Sequence, residues 1–296
     1  MEKLKVNMSI ESDDDILKKM KEAYLACPAA IKYVRELGIP DETIDMNITK
    51  VYDFVSDINY CKKCPGITKC QKHNPMLCTK IVYTNGVLDR QLVPCPKFLE
   101  RVTFEKQFMA RDFDDSWLDV TLRDLDPTDA RKKACEKYVN YVKNGVSQWI
   151  YLTGGPNSGR SYLAAAFATD CARKNLGPIC FINCGKRFAE LAAMERKEKD
   201  RFQREIDKLC DCRVLVLDDF GNEFKTDFVR DAILFQIIST RASKKLFTIV
   251  TSDFSIQDIV TLYSTSKAGE VRAKQIGTII KAASGKEISL GEISIY

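Results

Sequence analysis

The run WIYLTGGPNSGRSYLAAAFA, Trp149 to Ala168, restricts the fold of this chain more than any other stretch. It opens with residues that favour a pleated strand, passes through glycines and a proline that punctuate regular structure, and closes on strong helix formers. A strand that enters a glycine-rich turn and leaves it as a helix is half of a βαβ unit, and such units cover a parallel sheet with helices. The turn itself, Gly154 to Ser161, fits G-x-x-x-x-G-K-S except that Arg160 stands in the lysine place. Glycines permit the positive-φ backbone that turns successive N–H groups toward phosphate oxygens, and the helix adds its positive N-terminal end. The candidate phosphate-contacting residues are therefore Gly154, Gly155, Pro156, Asn157, Ser158, Gly159, Arg160, Ser161 and Tyr162, with the Ser161 hydroxyl as a Mg²⁺ ligand. The plainer alternative is a Gly-Pro turn between a strand and a helix.

The surrounding pattern favours the first reading. WIYLT, PICFINC, RVLVLDD and LFTIVTS are short apolar runs separated by helical stretches over 160–174, 187–209 and 226–243. This alternation predicts an α/β domain with a parallel sheet flanked by helices. In RVLVLDDFGNE, a buried strand ends in Asp218 and Asp219, which puts carboxylates at the carboxyl edge of the sheet where one can hold Mg²⁺; Glu223 is the candidate to polarise an attacking water. Arginine at 160 keeps the positive charge but replaces a compact ammonium on a flexible stem by a wide planar fork, so binding weakens and hydrolysis weakens more.

Upstream, Ile16 to Leu37 is apolar at helical spacing and interrupted at Cys27-Pro28, which predicts a pair of short helices; Ile44 to Asn59 adds another. Phe98 to Leu125 is charged and aromatic without a steady period, as in a linker. Thr128 offers an N-cap for a helix that stops at Asn144-Gly145. The expected organisation is an N-terminal helical domain over 1–100, a linker over 101–126 and the α/β domain over 127–296.

At 296 residues the chain is long enough for two domains, and its net charge of +5 permits a nucleic-acid partner without marking one. MEKLKVNMSIESDDD has no apolar run behind its lysines, and no later run reaches the roughly 18 residues of a membrane span, so a cytoplasmic protein with no membrane partner is expected. Of twelve cysteines, five fall between Cys61 and Cys95, a clustering that suggests metal ligation in a reducing compartment. Cys61-x-x-Cys64 supplies two corners of a Zn²⁺ tetrahedron, and the others come from Cys70, His73, Cys78 and Cys95. Cys135, Cys171, Cys180, Cys184, Cys210 and Cys212 read as small core residues.

Taken together, GGPNSGRSYLAAAFA, LVLDDFGNE followed by FVRDAILFQIISTR, LFTIVTSDFS, and CKKCPGITKC with a later PCP resemble the DnaC/DnaI-like helicase loaders within the AAA+ ATPases. The resemblance implies an N-terminal zinc domain that binds the replicative DNA helicase and a C-terminal AAA+ domain that binds ATP and single-stranded DNA during primosome assembly. It also implies Cys61, Cys64, Cys78 and Cys95 as the zinc ligands, a closed structural site, and leaves room for a homo-oligomer. Several positions depart from the family pattern. Asp253 replaces a sensor asparagine and adds negative charge where a γ-phosphate would lie; Gln275 and Ile279 stand in the places of arginines that reach a neighbouring subunit's nucleotide; the sequence ends GEISIY without an arginine-bearing tail. The expectation is nucleotide binding with weak or absent hydrolysis, which leaves Asp218, Asp219 and Glu223 largely vestigial. The rival expectations are a working AAA+ ATPase of the transposase-partner type and a scaffold that binds no nucleotide. Arg272, Lys274, Lys281 and Lys286 give the C-terminal segment a basic bias suited to phosphate contacts or to a solvated helix face, and Arg230 and Arg241 face a neighbour, DNA or their own helix.

Overall fold

The computed structural model describes residues 12–291. The first eleven residues, and Glu292 to Tyr296 of the closing GEISIY, lie outside the described residues. The chain divides into two compact units between Thr103 and Phe104.

The first unit begins with α1 (Asp13–Leu25), where the Ser12 side chain accepts a bond from the Asp15 N–H, and α2 (Pro28–Glu36), with proline at its first position. These are the expected pair of short helices. Next come α3 (Asp41–Met46) and α4 (Ile48–Cys61), then a hairpin of β1 (Leu77–Thr84) and β2 (Val87–Pro94). The hairpin turn is Asn85-Gly86, both with positive φ, the sequence that a two-residue turn between right-twisted strands requires. Ile81 and Leu88 from the hairpin join Val34, Val51, Phe54 and Val55 in one buried cluster. The unit therefore has an apolar core of its own.

Helix α5 (Pro96–Glu105) carries the chain across the division. Where the sequence pattern predicts a linker over 101–126, β3 (Phe108–Arg111) instead pairs with a strand of the second unit's sheet. Phe104, Phe113 and Leu118 enter that unit's core. Aromatic residues without a helical period are here the side chains of a short edge strand and the turns after it.

The second unit continues with α6 (Asp129–Asn144), capped by Thr128 and stopped by left-handed Gly145, as its sequence predicts. There follow β4 (Ile150–Thr153), α7 (Arg160–Arg173), β5 (Ile179–Asn183), α8 (Cys184–Lys197), α9 (Lys199–Asp211) and β6 (Val214–Asp218). A π-helical turn, Val229–Leu234, runs into α10 (Phe235–Ser243), and β7 (Phe247–Ser252), α11 (Ile256–Tyr263), α12 (Lys267–Ser284) and β8 (Ile288–Ser289) complete it. The sheet has the order β3-β5-β6-β7-β4-β8, and every pair is parallel. Successive side chains alternate between faces: Val214 and Val216 join the core beneath α6 and α7, while Leu215 and Leu217 join the core beneath α8 to α12. This is the α/β architecture, a parallel sheet flanked by helices. No helix among the described residues is long and apolar enough to cross a membrane.

Arg241 ties these layers together. It is 0% exposed, and donates to Thr248 Oγ1 at 2.9 Å, to the carbonyls of Leu209, Cys212 and Phe247 at 2.9, 2.8 and 2.7 Å, and lies 3.4 Å from the Cys212 sulfur. A bond from Cys180 and the charge of Arg241 hold the Cys212 thiol below its ordinary value. Arg230 is likewise internal, held by Asp227 and Asp231 at 2.7 Å each. Arg241→Met removes the guanidinium's bonds to three buried carbonyls and to Thr248, and we expect it to cost about 3 kcal/mol; the midpoint of urea unfolding should fall accordingly.

Candidate phosphate-binding site

In a parallel sheet the carboxyl ends of all strands meet one edge. Because β7 lies between β4 and β6, the loop after β4, Asp253 after β7 and Asp218 with Asp219 at the end of β6 converge there. The glycine loop is tightly built. A Cβ on Gly154 would stand 2.8 Å from Ser158 Oγ and 2.9 Å from the Gly291 carbonyl oxygen, so no side chain fits. Asn157 and Gly159 take the left-handed backbone at φ 61° and 82°, the turn that aims consecutive N–H groups into one concavity. Beyond it α7 begins at Arg160, and its first-turn N–H groups have no acceptor within the helix. Ser158 Oγ is buried and has no hydrogen-bond partner among the described residues. Such an orphaned hydroxyl beside the open N-terminal end of α7 fits an anion. Gly155 and Pro156 form the outer turn, where the Gly155 carbonyl accepts from Ser158 at 3.3 Å. Tyr162 packs edge-on against Trp117, with centroids 5.6 Å apart.

The carboxylates sort into different roles. Asp218 is buried, receives the Thr251 hydroxyl at 2.6 Å, and has the Ser161 hydroxyl within bonding reach. Burial pushes its carboxyl up, against the pull of the two hydroxyls. A hydroxyl and a carboxylate side by side at the mouth of the loop are the donor pair that Mg²⁺ takes. Asp219 sits in the left-handed region at φ 55°, accepts from Asn183 at 3.1 Å, and its N–H donates to Thr251 Oγ1 at 3.0 Å. Glu223 is turned away from the edge: it is 2% exposed, accepts from the Gly221 N–H at 2.9 Å, and takes the Tyr263 hydroxyl on its other oxygen. Burial raises its carboxyl as well. These bonds inside the core replace the water-facing position that the sequence suggests.

Arg160 and Asp253 meet. The guanidinium, 7% exposed, donates to the Gly154 carbonyl at 2.5 Å through Nη1 and pairs with Asp253 through Nη2. The other oxygen of Asp253 accepts from Asn222 at 2.7 Å. Burial works to raise Asp253, but Asn222 and Arg160 outweigh it and hold the carboxyl below its ordinary value. A second cation, unforeseen from sequence, also reaches the loop: Arg131 of α6 brings Nη2 within 3.1 Å of where a Cβ on Gly159 would lie. No spacing rule connects residue 131 to residue 159, so only the packing of α6 reveals it.

The cysteine cluster lies in the first unit. Cys61 and Cys78 are within bonding reach, as are Cys78 and Cys95, and Cys64 is close enough to act electrostatically on Cys61. The soft sulfur donors suit Zn²⁺. No group of three or more candidate ligands converges among the described residues. Lys72 lies against them, 2.9 Å from Asp57 and 3.5 Å from the Cys78 sulfur. Burial pushes the Cys78 thiol up to about 11. Cys70 is half-buried and His73 is exposed.

Near the C-terminus, Arg272 lies over the Phe235 ring at 3.8 Å and pairs with Asp231 at 3.5 Å, and Lys274 pairs with Glu270 at 2.5 Å. Gln275 is exposed, and Ile279 packs against the core. Lys281 and Lys286 are exposed beside a cavity that Gln257 and Glu287 also line.

Residues 103–267 match the model of the family described as IstB-like ATP binding protein. The chain is similar to the replicative helicase loader DnaI of Bacillus subtilis (strain 168), 23% identical over 269 residues, which span 86% of this chain and 84% of that protein. Among solved structures, a crystal structure of DnaI superposes with a TM-score of 0.56 at 25% identity, over 62% of this chain and 97% of that one. A protein of Streptococcus pyogenes serotype M3, described as a candidate primosome component, superposes with a TM-score of 0.51 at 23% identity, over 64% of this chain and 95% of that one.

Thr251 holds both Asp218 and the backbone of Asp219. Because the folded-state value of Asp218 is raised, its contribution to stability declines as pH rises from the unfolded value of about 3.9 through the folded one. Thr251→Val removes a donor to the carboxylate and enlarges that decline. We expect a loss of about 1–3 kcal/mol at neutral pH and a smaller loss near pH 4, read from urea titrations at both values.

Proposed function

The chain belongs to the family of IstB-like ATP binding proteins, and from that premise we propose that it binds ATP with Mg²⁺ at Gly154–Tyr162 and serves as a loader of the replicative DNA helicase. The observation that carries the loader reading is the extent of the likeness to the Bacillus loader: 86% of the chain is more than the second unit contains, so the match runs into the first. The ATP-binding family match ends at residue 267 and starts at 103, so it says nothing of the N-terminal unit. In this reading the first unit holds the helicase, the second holds nucleotide, and exposed Lys281 and Lys286 contribute to contact with single-stranded DNA. Self-association as a homo-oligomer and a cytoplasmic location belong to the same proposal.

Within the site, loop N–H groups and the end of α7 hold phosphates, while Ser161 and Asp218 position Mg²⁺. Hydrolysis is weak or absent. Support comes from Arg160, whose charge is directed to Asp253, from Glu223, whose oxygens are taken by Gly221 and Tyr263, and from Gln275 and Ile279, which offer no arginine. Zn²⁺ on Cys61, Cys64, Cys78 and Cys95 belongs to the same proposal, supported by the soft donors and by the pairwise influence of Cys64 and Cys78 on Cys61 and of Cys95 on Cys78.

Full-length protein should retain a replicative helicase in a pull-down. With helicase and single-stranded DNA present, its steady-state ATP turnover should stay at least about a hundredfold below that of active relatives, since one misplaced transition-state cation is worth that much or more. Failure to retain the helicase would end the loader reading, and vigorous turnover would favour the working ATPase. Metal analysis of protein purified without chelator should give roughly one zinc per chain, lost in Cys78→Ser; protein free of zinc would dismiss the metal.

A further inference from the structure

Arg160 and Asp253 each depart from the usual nucleotide-site pattern, and the structure makes them one feature. They are 93 residues apart in the chain and joined as an ion pair. We propose that this pair makes the site selective for a nucleoside diphosphate: Asp253 satisfies the loop cation from within and turns away the γ-phosphate. The inference rests on the proposed nucleotide-binding role of the loop and narrows it: ATP binds there, but more weakly than the diphosphate.

Consider what each phosphate of a bound nucleotide meets. The α- and β-phosphates are held by the loop N–H groups and the N-terminal end of α7. Apart from the Ser158 N–H, which bonds to the Gly155 carbonyl, those donors are not taken by Arg160 or Asp253, and the buried, unpartnered Ser158 hydroxyl lies among them. A γ-phosphate depends instead on the side-chain cation at the first position of the helix. Here that cation is Arg160, which is fixed at both ends of its fork, by the Gly154 carbonyl and by Asp253. Its charge is already neutralised by a carboxylate.

Neither partner is free to leave. Asp253 is anchored by Asn222 as well, and it follows β7, which lies between the strand that leads into the loop and the strand that ends at Asp218. If Arg160 swung to a terminal phosphate, Asp253 would remain as a carboxylate without its cation, facing added negative charge. Solvent screens that repulsion in part, because the Asp253 side chain is 31% exposed, but like charges close together at a protein surface still repel more strongly than in bulk water. A diphosphate avoids the conflict because its charge ends before the pair. The nucleotide class that suits the site is therefore the diphosphate with Mg²⁺.

Calorimetric titration of the full chain with ADP, and separately with a non-hydrolysable ATP analogue, both with Mg²⁺, tests this. Wild-type protein should bind the diphosphate at least about tenfold more tightly than the triphosphate, the size of a single charge contact in affinity. Asp253→Asn keeps the shape and removes the charge; it should lower that ratio by about tenfold or more while ADP affinity stays within roughly threefold. Equal or tighter triphosphate binding by the wild type overturns the proposal, even if the variant fails to fold. An unchanged ratio in a folded variant overturns it too. Diphosphate binding without preference defeats the selectivity alone, whereas no binding of either nucleotide defeats the nucleotide-binding reading and the selectivity together.

Discussion

Parallel pairing is the constraint on which the second unit depends. Strands that all run one way must return through crossovers on the faces of the sheet, so every loop that leaves the carboxyl end of a strand emerges at the same edge. The order β3-β5-β6-β7-β4-β8 then decides which loops are neighbours. It places the glycine loop, Asp253 and Asp218 beside one another although they come from distant parts of the chain. Thr251, on the central strand of the three, bonds to Asp218 and receives the Asp219 N–H. Chemistry at this edge thus depends on the register of β6 against β7, and that register depends on buried Leu215, Leu217 and Val250 on one face and Val214, Val216 and Ile249 on the other.

Electrostatics at the edge is self-contained. Each acidic group there has a donor from the protein itself: Asp218 has Thr251, Asp219 has Asn183, Asp253 has Asn222 and Arg160. A site arranged for fast phosphoryl transfer keeps its cation and its water-orienting base unengaged until substrate arrives. Here Glu223 is committed to Gly221 and Tyr263, and Arg160 is committed to Asp253. The Ser158 hydroxyl remains uncommitted, and so do the first-turn N–H groups of α7 within their own helix. Such a site is suited to hold phosphate more than to transform it.

Much of this was legible in the chain. The β-rich runs entering WIYLTGGPNSG and ending RVLVLDD set two adjacent features of the sheet edge, because an apolar strand bounded by a glycine turn and a helix former has few ways to fold. Thr128 and Gly145 marked the ends of α6 through capping chemistry alone. The hairpin carries a readable signal in Asn85-Gly86 between its two strands. Other features had no local signal. The Arg160–Asp253 pair is a long-range contact between two substitutions that look like separate losses in the sequence. The inward turn of Glu223 depends on Tyr263, forty residues on, and β3 is too short and too irregular to show a period.

The first unit shows how far a metal is needed. Sequence alone suggests that the segment around the cysteines has little apolar mass, so that ligation would supply its folding energy. The hairpin changes that balance, because Ile81 and Leu88 are 0% and 1% exposed and pack with the helices before them. Two such side chains removed from water contribute about 3–6 kcal/mol between them, enough to seat the hairpin on α4. The thiols of Cys61, Cys78 and Cys95 lie at the end of α4, within β1 and just past β2. A metal there would cross-link three elements that already pack, fixing the intervening Lys62–Met76 loop more than creating the fold.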